Sequence, residues 1–467
     1  MASKLRTLAM QQPKPHVTII VDDEKTVYST LDKVSGKVKI QVSVDTIWRD
    51  IDIQFVGNTK TFVDKMSMSP SLPMSISGTH HFLKLEQPMP RHSRPQVLQP
   101  GKIYEFPFSF TIPKKLLSKA CKHETKHQSV HDAHLQLPPS IGAVDRCDDL
   151  APVMSRVQYQ VAARIISSSG NPLVTKTRDV CVIPAAEEQA PIDVQDPNSE
   201  FISRTEKVIR KSGFKGRLGS LSIEAEQPKS ISLPTNYSPG KDIVSTMTTV
   251  RLRFDPAEEG CSPPCLTSLS SKLHVSTWHA VTPRLDFPKD KDVVYDIRAG
   301  LYSTSVKLSS CQVDSVSWTR HDEGEEDLHR QDSVISVQPK SDSSSPSTYC
   351  RGRAFYTAEL VVPVFLPKNK TWVPTFHSCL VSRTYALDIS LGVRSAVGTR
   401  TMKLKLPLQI SAEGSVEYQA DMIRGQQLVD HNPLQNLLGS LSTGDVTRPA
   451  CLDLLPEYKV FTRPILA

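Results

Sequence analysis

Residues 98–113, LQPGKIYEFPFSFTIP, decide the fold. Pro100-Gly101 makes a turn, since proline fixes φ and glycine accepts the reversed backbone that follows. Tyr104, Phe106, Phe108, Phe110 and Ile112 then fall at every second position, with Glu105, Ser109 and Thr111 between them. An apolar face alternating with a polar one at period two is a half-buried β-strand. Pro107 and Pro113 cannot donate to a ladder, which predicts an edge strand or a bulge. The stretch carries no catalytic group, so its message is architectural: a β-sandwich.

The same pattern recurs on both sides. His16–Val21 is a β-rich run, and 34–44 (VSGKVKIQVSV) and 50–56 (DIDIQFV) alternate, which predicts an antiparallel meander. A polar stretch over 114–136 precedes LPPS at 137–140, and strands are predicted over 157–166 and 176–182. Residues 185–212 pass from acidic to basic without alternation and read as a connector. A second series covers 219–226, 248–254, 272–278, 356–362, 385–391 and 402–410. Within it, 321–349 is acidic and then Ser/Asp-rich, the composition of a solvated loop. The halves echo one another. Ile112-Pro113, LPPS and the strand holding Tyr159 match Leu366-Pro367, VPTF at 373–376 and the strand holding Tyr385. The organisation expected is a domain at 16–184, a connector at 185–212, a second domain at 213–411 and a flexible, disordered tail at 412–467.

Composition sets bounds on function. A chain of 467 residues exceeds one ordinary core. Its 35 prolines suit short strands, loops and a tail better than helices. The net charge of +7 allows peripheral contact with acidic membrane surfaces but forms no basic stripe with interleaved aromatics, which argues against nucleic acid. The N-terminus lacks an apolar signal core, and the apolar run at 360–366 is broken by Pro363 and far too short to span a bilayer. Nine irregularly spaced cysteines suit a reducing compartment, so a cytoplasmic protein is expected.

Residues 27–36 ending in Val-Ser-Gly, the 98–113 strand, LPPS and VQYQVAARI at 157–165 together resemble the arrestin family. So do 219–228 ending in Gln-Pro and VPTFHSCLVSRTYALDISL at 373–391. Each piece is degenerate, but their order across 16–411 is similar to that of the fungal arrestin-related trafficking adaptors, the α-arrestin branch. The resemblance implies an all-β fold of two tandem arrestin-type immunoglobulin-like sandwiches and no enzymatic activity. It also implies an adaptor that binds cytosolic segments of membrane transporters or receptors and is recruited peripherally to the plasma membrane or endosomes. Visual and β-arrestins carry paired lysines in the first strand that contact receptor phosphates. His16–Val21 has no such pair, which argues against phosphate recognition of that kind.

Within DLLPEYKV, Leu455, Pro456 and Tyr458 form Leu-Pro-x-Tyr. Pro456 favours a polyproline II backbone and Tyr458 adds a ring to the same extended ligand, the form WW-domain grooves read. It resembles the PY-motif variant through which such adaptors recruit HECT-type ubiquitin ligases. Pro-x-Tyr alone is expected roughly 0.8 times by chance in this composition, and with the leucine roughly 0.1 times. The alternative is an arrestin-fold signalling or endosomal sorting scaffold without ligase coupling.

Other polar clusters read as structure. His123, His127, His131 and His134, at i, i+4, i+8 and i+11 beside Cys121, would share a helix face with metal-ligand spacing. No apolar stripe holds that helix on a core, so a solvated insertion is expected and metal is not. Cys261 and Cys265 flank Ser-Pro-Pro without a second pair, which speaks against zinc there. Cys379, beside Leu380-Val381, reads as a small buried hydrophobe. There is no phosphate loop, nucleophile elbow or His-Glu-x-x-His, so no catalytic residue and no cofactor is expected.

Overall fold

A computed structural model describes residues 13–430 except 24, 66–73, 89–96, 143–147, 192–199, 212–215, 239–240, 243, 314–315, 323–353 and 396–397. In the first half the strands are β1 (His16–Val21), β2 (Lys33–Gln41), β3 (Thr46–Lys65), β4 (Met74–Glu86), β5 (Val97–Leu98), β6 (Ile103–Thr111), β7 (Ser155–Ser167) and β8 (Pro172–Val180). One sheet runs β1-β2-β6; the facing sheet runs β4-β3-β7-β8, with β5 beside β3. The 98–113 reading holds. Lys102 N–H reaches the Gln99 carbonyl at 3.4 Å across Pro100-Gly101, and Gly101 takes φ +78°, the conformation this turn requires of its third residue. Phe106, Phe108 and Phe110 are buried while Glu105, Pro107 and Ser109 are exposed. Among the described residues β6 pairs only with β2, which is how Pro107 is tolerated.

The core between these sheets is aromatic. Phe55 of β3 stacks at 5.9 Å on Phe110 of β6 and at 5.9 Å on Tyr159 of β7, so one ring ties both sheets together. Trp48 meets Phe106 edge-on at 5.6 Å. Full burial of each such side chain contributes roughly 1.5–3 kcal/mol.

The second half repeats the architecture with β9 (Arg204–Arg210), β10 (Arg217–Ala225), β11 (Ile231–Leu233), β12 (Ser245–Pro256), β13 (Leu266–Ala280), β14 (Ala299–Gln312), β15 (Thr319–His321), β16 (Phe355–Phe365), β17 (Phe376–His377), β18 (Val381–Ser395), β19 (Gly398–Leu408) and β20 (Ile410–Ala412). One sheet runs β15-β16-β12-β10-β9. The other runs β14-β13-β18-β17, with β19 on β18. The described residues also form α1 (Gln128–His134) and α2 (Asp290–Tyr295) between strands and α3 (Val416–Asp430) after the last strand. The molecule is all-β, two sandwiches in tandem.

Three differences from the sequence reading have physical causes. The 185–212 connector includes β9, whose residues are mostly exposed at a sheet edge and so carry no apolar alternation. β14 is Ser-rich, and all but one of its residues are exposed or half-exposed, so it too is silent in periodicity. Regular structure continues past residue 411, because β20 pairs in parallel with β11 and α3 follows it. Residues 323–349 of the expected loop insertion and 431–467 of the expected tail lie outside the described residues.

Candidate metal centre at the junction of the sandwiches

Both halves are built around the same tether. Tyr159 in β7 is fully buried and its hydroxyl donates to the Pro138 carbonyl of LPPS at 2.8 Å. Tyr385 in β18 is nearly as buried and donates to the Val373 carbonyl of VPTF, also at 2.8 Å. Burial pushes both phenols up, so they remain donors. Two residues beyond each carbonyl a hydroxyl residue makes a reciprocal pair with a strand end. Ser140 N–H donates to Val182 O (2.8 Å) and its Oγ accepts from Val182 N–H (3.0 Å). Thr375 N–H donates to Ile410 O (2.8 Å) and its Oγ1 accepts from Ile410 N–H (3.1 Å). The loose echo in the sequence is thus an atom-by-atom repeat.

The halves differ in what joins the strand-end proline to the tether. In the second, Lys368–Trp372 makes a short link from Pro367 to Val373. Its Thr371 N–H reaches the Asp148 carbonyl of the first half at 3.0 Å, and Lys370 pairs with the Asp148 carboxylate at 2.5 Å. Lys370 and the Leu150 N–H hold that carboxyl below its usual range. In the first half a longer loop intervenes, closed at its base where Leu116 N–H meets Leu135 O at 2.8 Å. It contains a short 3-10 turn at Ser118–Ala120 and then α1. The loop crosses to the second sandwich, where Lys126 N–H donates to Leu285 O at 2.8 Å.

Where the loop crosses, four ligand-type side chains converge. Cys121, His123, His134 and Cys379 each offer one donor atom, all within 4.8 Å of one another. Cys121 Sγ lies 3.7 Å from His134 Nδ1 and 3.7 Å from His123 Nε2. Cys121, His134 and Cys379 are buried; His123 is half-exposed. Cys121 follows the 3-10 turn, whose Ala120 carbonyl lies 2.8 Å from His80 Nε2 of β4. Burial keeps His80 low and neutral, as suits a donor to that carbonyl. His134 is the last residue of α1, and Cys379 follows β17. Contact with the Cys379 thiol, reinforced by His123 and His134, lowers the Cys121 thiol against the effect of burial. The same thiol contact and burial push Cys379 up.

The solvated insertion read from the sequence is therefore a docked loop. Its shared helix face does not form, because α1 begins only at Gln128: His127 caps it and His123 precedes it. His123 and His134 converge all the same, through the turn. His131 faces Asp132 at 4.0 Å instead. Cys379 is buried, as expected, but its thiol meets Cys121. The partner missing from the sequence reading lay 245 residues from His134, in the other half, where no local spacing reveals it. Cys261 and Cys265 join no such group among the described residues. Leu455, Pro456 and Tyr458 lie outside them.

The chain is thus an all-β protein of two sandwiches in tandem, each tethered through a buried tyrosine. Residues 17–132 match the family model for the arrestin (or S-antigen) N-terminal domain, and residues 91–183 match the model for the Bul1 N terminus. Over residues 17–183 the chain is therefore similar to the arrestin family. No curated protein matches it. Among the described residues, no helix is long and apolar enough to cross a membrane.

Proposed function

We propose that this protein is a non-enzymatic trafficking adaptor: its sandwiches bind cytosolic segments of membrane transporters or receptors, and its tail recruits a HECT-type ubiquitin ligase. The observation that carries this reading is the pair of family matches, arrestin N-terminal domain and Bul1 N terminus, in a chain that also holds Leu455-Pro456-Glu457-Tyr458. The ligase supplies the chemistry; this chain supplies proximity. Its contribution is an increase in the effective concentration of ligase at the cargo. The protein works in the cytoplasm and is drawn to the plasma membrane or endosomes by its cargo, so that ubiquitination leads to internalisation.

A polyproline II ligand enters a WW groove with little ordering cost, and its tyrosine fills a pocket that no smaller residue can. Full-length protein is expected to be retained on immobilised WW domains, and Tyr458→Ala to reduce retention at least tenfold. Equal retention of the variant removes the ligase arm of the proposal.

A further inference from the structure

We propose that Cys121, His123, His134 and Cys379 bind one zinc ion that staples the two sandwiches together. The proposal stands on the geometry of the cluster and is independent of the adaptor reading.

Two thiols and two imidazoles are the donor set of structural zinc, which takes four ligands as a closed tetrahedron. Zinc–sulfur bonds of about 2.3 Å and zinc–nitrogen bonds of about 2.0 Å place sulfur and nitrogen about 3.5 Å apart along a tetrahedral edge. The Cys121 sulfur already stands 3.7 Å from a nitrogen of each histidine. The fourth donor, Cys379, comes from the other sandwich and completes the set within 4.8 Å. Three ligands from one half and one from the other make a full tetrahedron only while the halves are docked.

Burial and charge point the same way. Two cysteines and a histidine are withdrawn from water at a domain junction, where unpaired polar groups are costly. Zn²⁺ bound by two thiolates and two neutral imidazoles carries no net charge, so it suits that buried site. The two thiol protons leave to solvent as the metal enters, and no redox change is involved. His123, half-exposed, gives the ion its way in. His80 fixes the Ala120 carbonyl immediately before Cys121 and so positions the turn that presents that ligand.

The test uses the full-length chain, purified under reducing conditions, incubated with zinc alone and freed of loose metal. Elemental analysis is expected to find about one zinc per chain. Cys379→Ser and His134→Ala are each expected to fall below about a fifth of that, while Cys265→Ser, outside the cluster, keeps full loading. Two measurements on the unaltered chain do not depend on whether the variants fold. Cobalt loading should give the visible absorption of tetrahedral Co²⁺ with a thiolate-to-metal charge-transfer band, and chelation should expose two further reactive thiols and lower Tm by several degrees. A chain that retains no zinc overturns the proposal. So does full loading in Cys379→Ser, or a Cys121–Cys379 disulfide in the freshly purified reduced protein.

Discussion

The two sandwiches share one plan and differ in one segment. Each hangs a buried tyrosine hydroxyl on the carbonyl of a proline-containing turn, and each locks that turn to a strand end through a serine or threonine. Between strand and turn, however, the second half uses the short link from Pro367 to Val373, while the first inserts a loop closed by Leu116 and Leu135. Both links cross the junction, one to Asp148 and the other to Leu285 and Cys379. The tether is what the fold repeats. The inserted loop is what sets the first half apart from the second, and it carries three of the four clustered side chains.

If the tethers are equivalent, their removal should cost the same in each half. Tyr159→Ala and Tyr385→Ala are each expected to lose about 3–5 kcal/mol, the usual loss for truncating a buried aromatic, measured by chemical denaturation. A large loss at one position only would break the comparison. Next in size is the junction itself. A Cβ on Gly78 of β4 would stand 2.6–2.9 Å from the Val281 backbone of the second half, so Gly78→Val should cost about 1–3 kcal/mol. Its mark should be earlier proteolysis between the halves, with both cores intact.

Smaller again are the hydroxyls alone. Tyr159→Phe and Tyr385→Phe should each lose about 1 kcal/mol, and the double variant should lose the sum, because the two bonds lie in different sandwiches and share no partner. The smallest effect is acidic destabilisation. Burial and the nearby Arg284 lower the pKa of His279 in the folded protein. Its stabilising share is full above about pH 6.5, the unfolded value, and is lost as pH falls toward the folded one, because the unfolded chain then binds more protons. Tm should therefore drop between pH 7 and 5, and His279→Gln should flatten that drop.

Much of this fold is written locally. Phe106, Phe108 and Phe110 announce their strand because one face is apolar and the other wet, and Pro107 announces the edge. β9 and β14 lack that contrast, since all but one residue of each is exposed or half-exposed, and so leave no periodic trace. The cluster was half legible: Cys121, His123 and His134 stand out by spacing, but a helical reading adds His127 and His131, which do not join it. Cys379 joins them only through the docking of one sandwich on the other, which sequence spacing does not encode.

The most direct test of this account excises the inserted loop, replacing residues 117–134 with a short Gly-Ser turn between Leu116 and Leu135, and follows backbone hydrogen exchange. If the loop is an addition to a common plan, amides around Tyr159 and Tyr385 stay protected while those at 376–381 exchange faster, by tenfold or more. Uniform loss of protection across both sandwiches, or unchanged protection at 376–381, would contradict it.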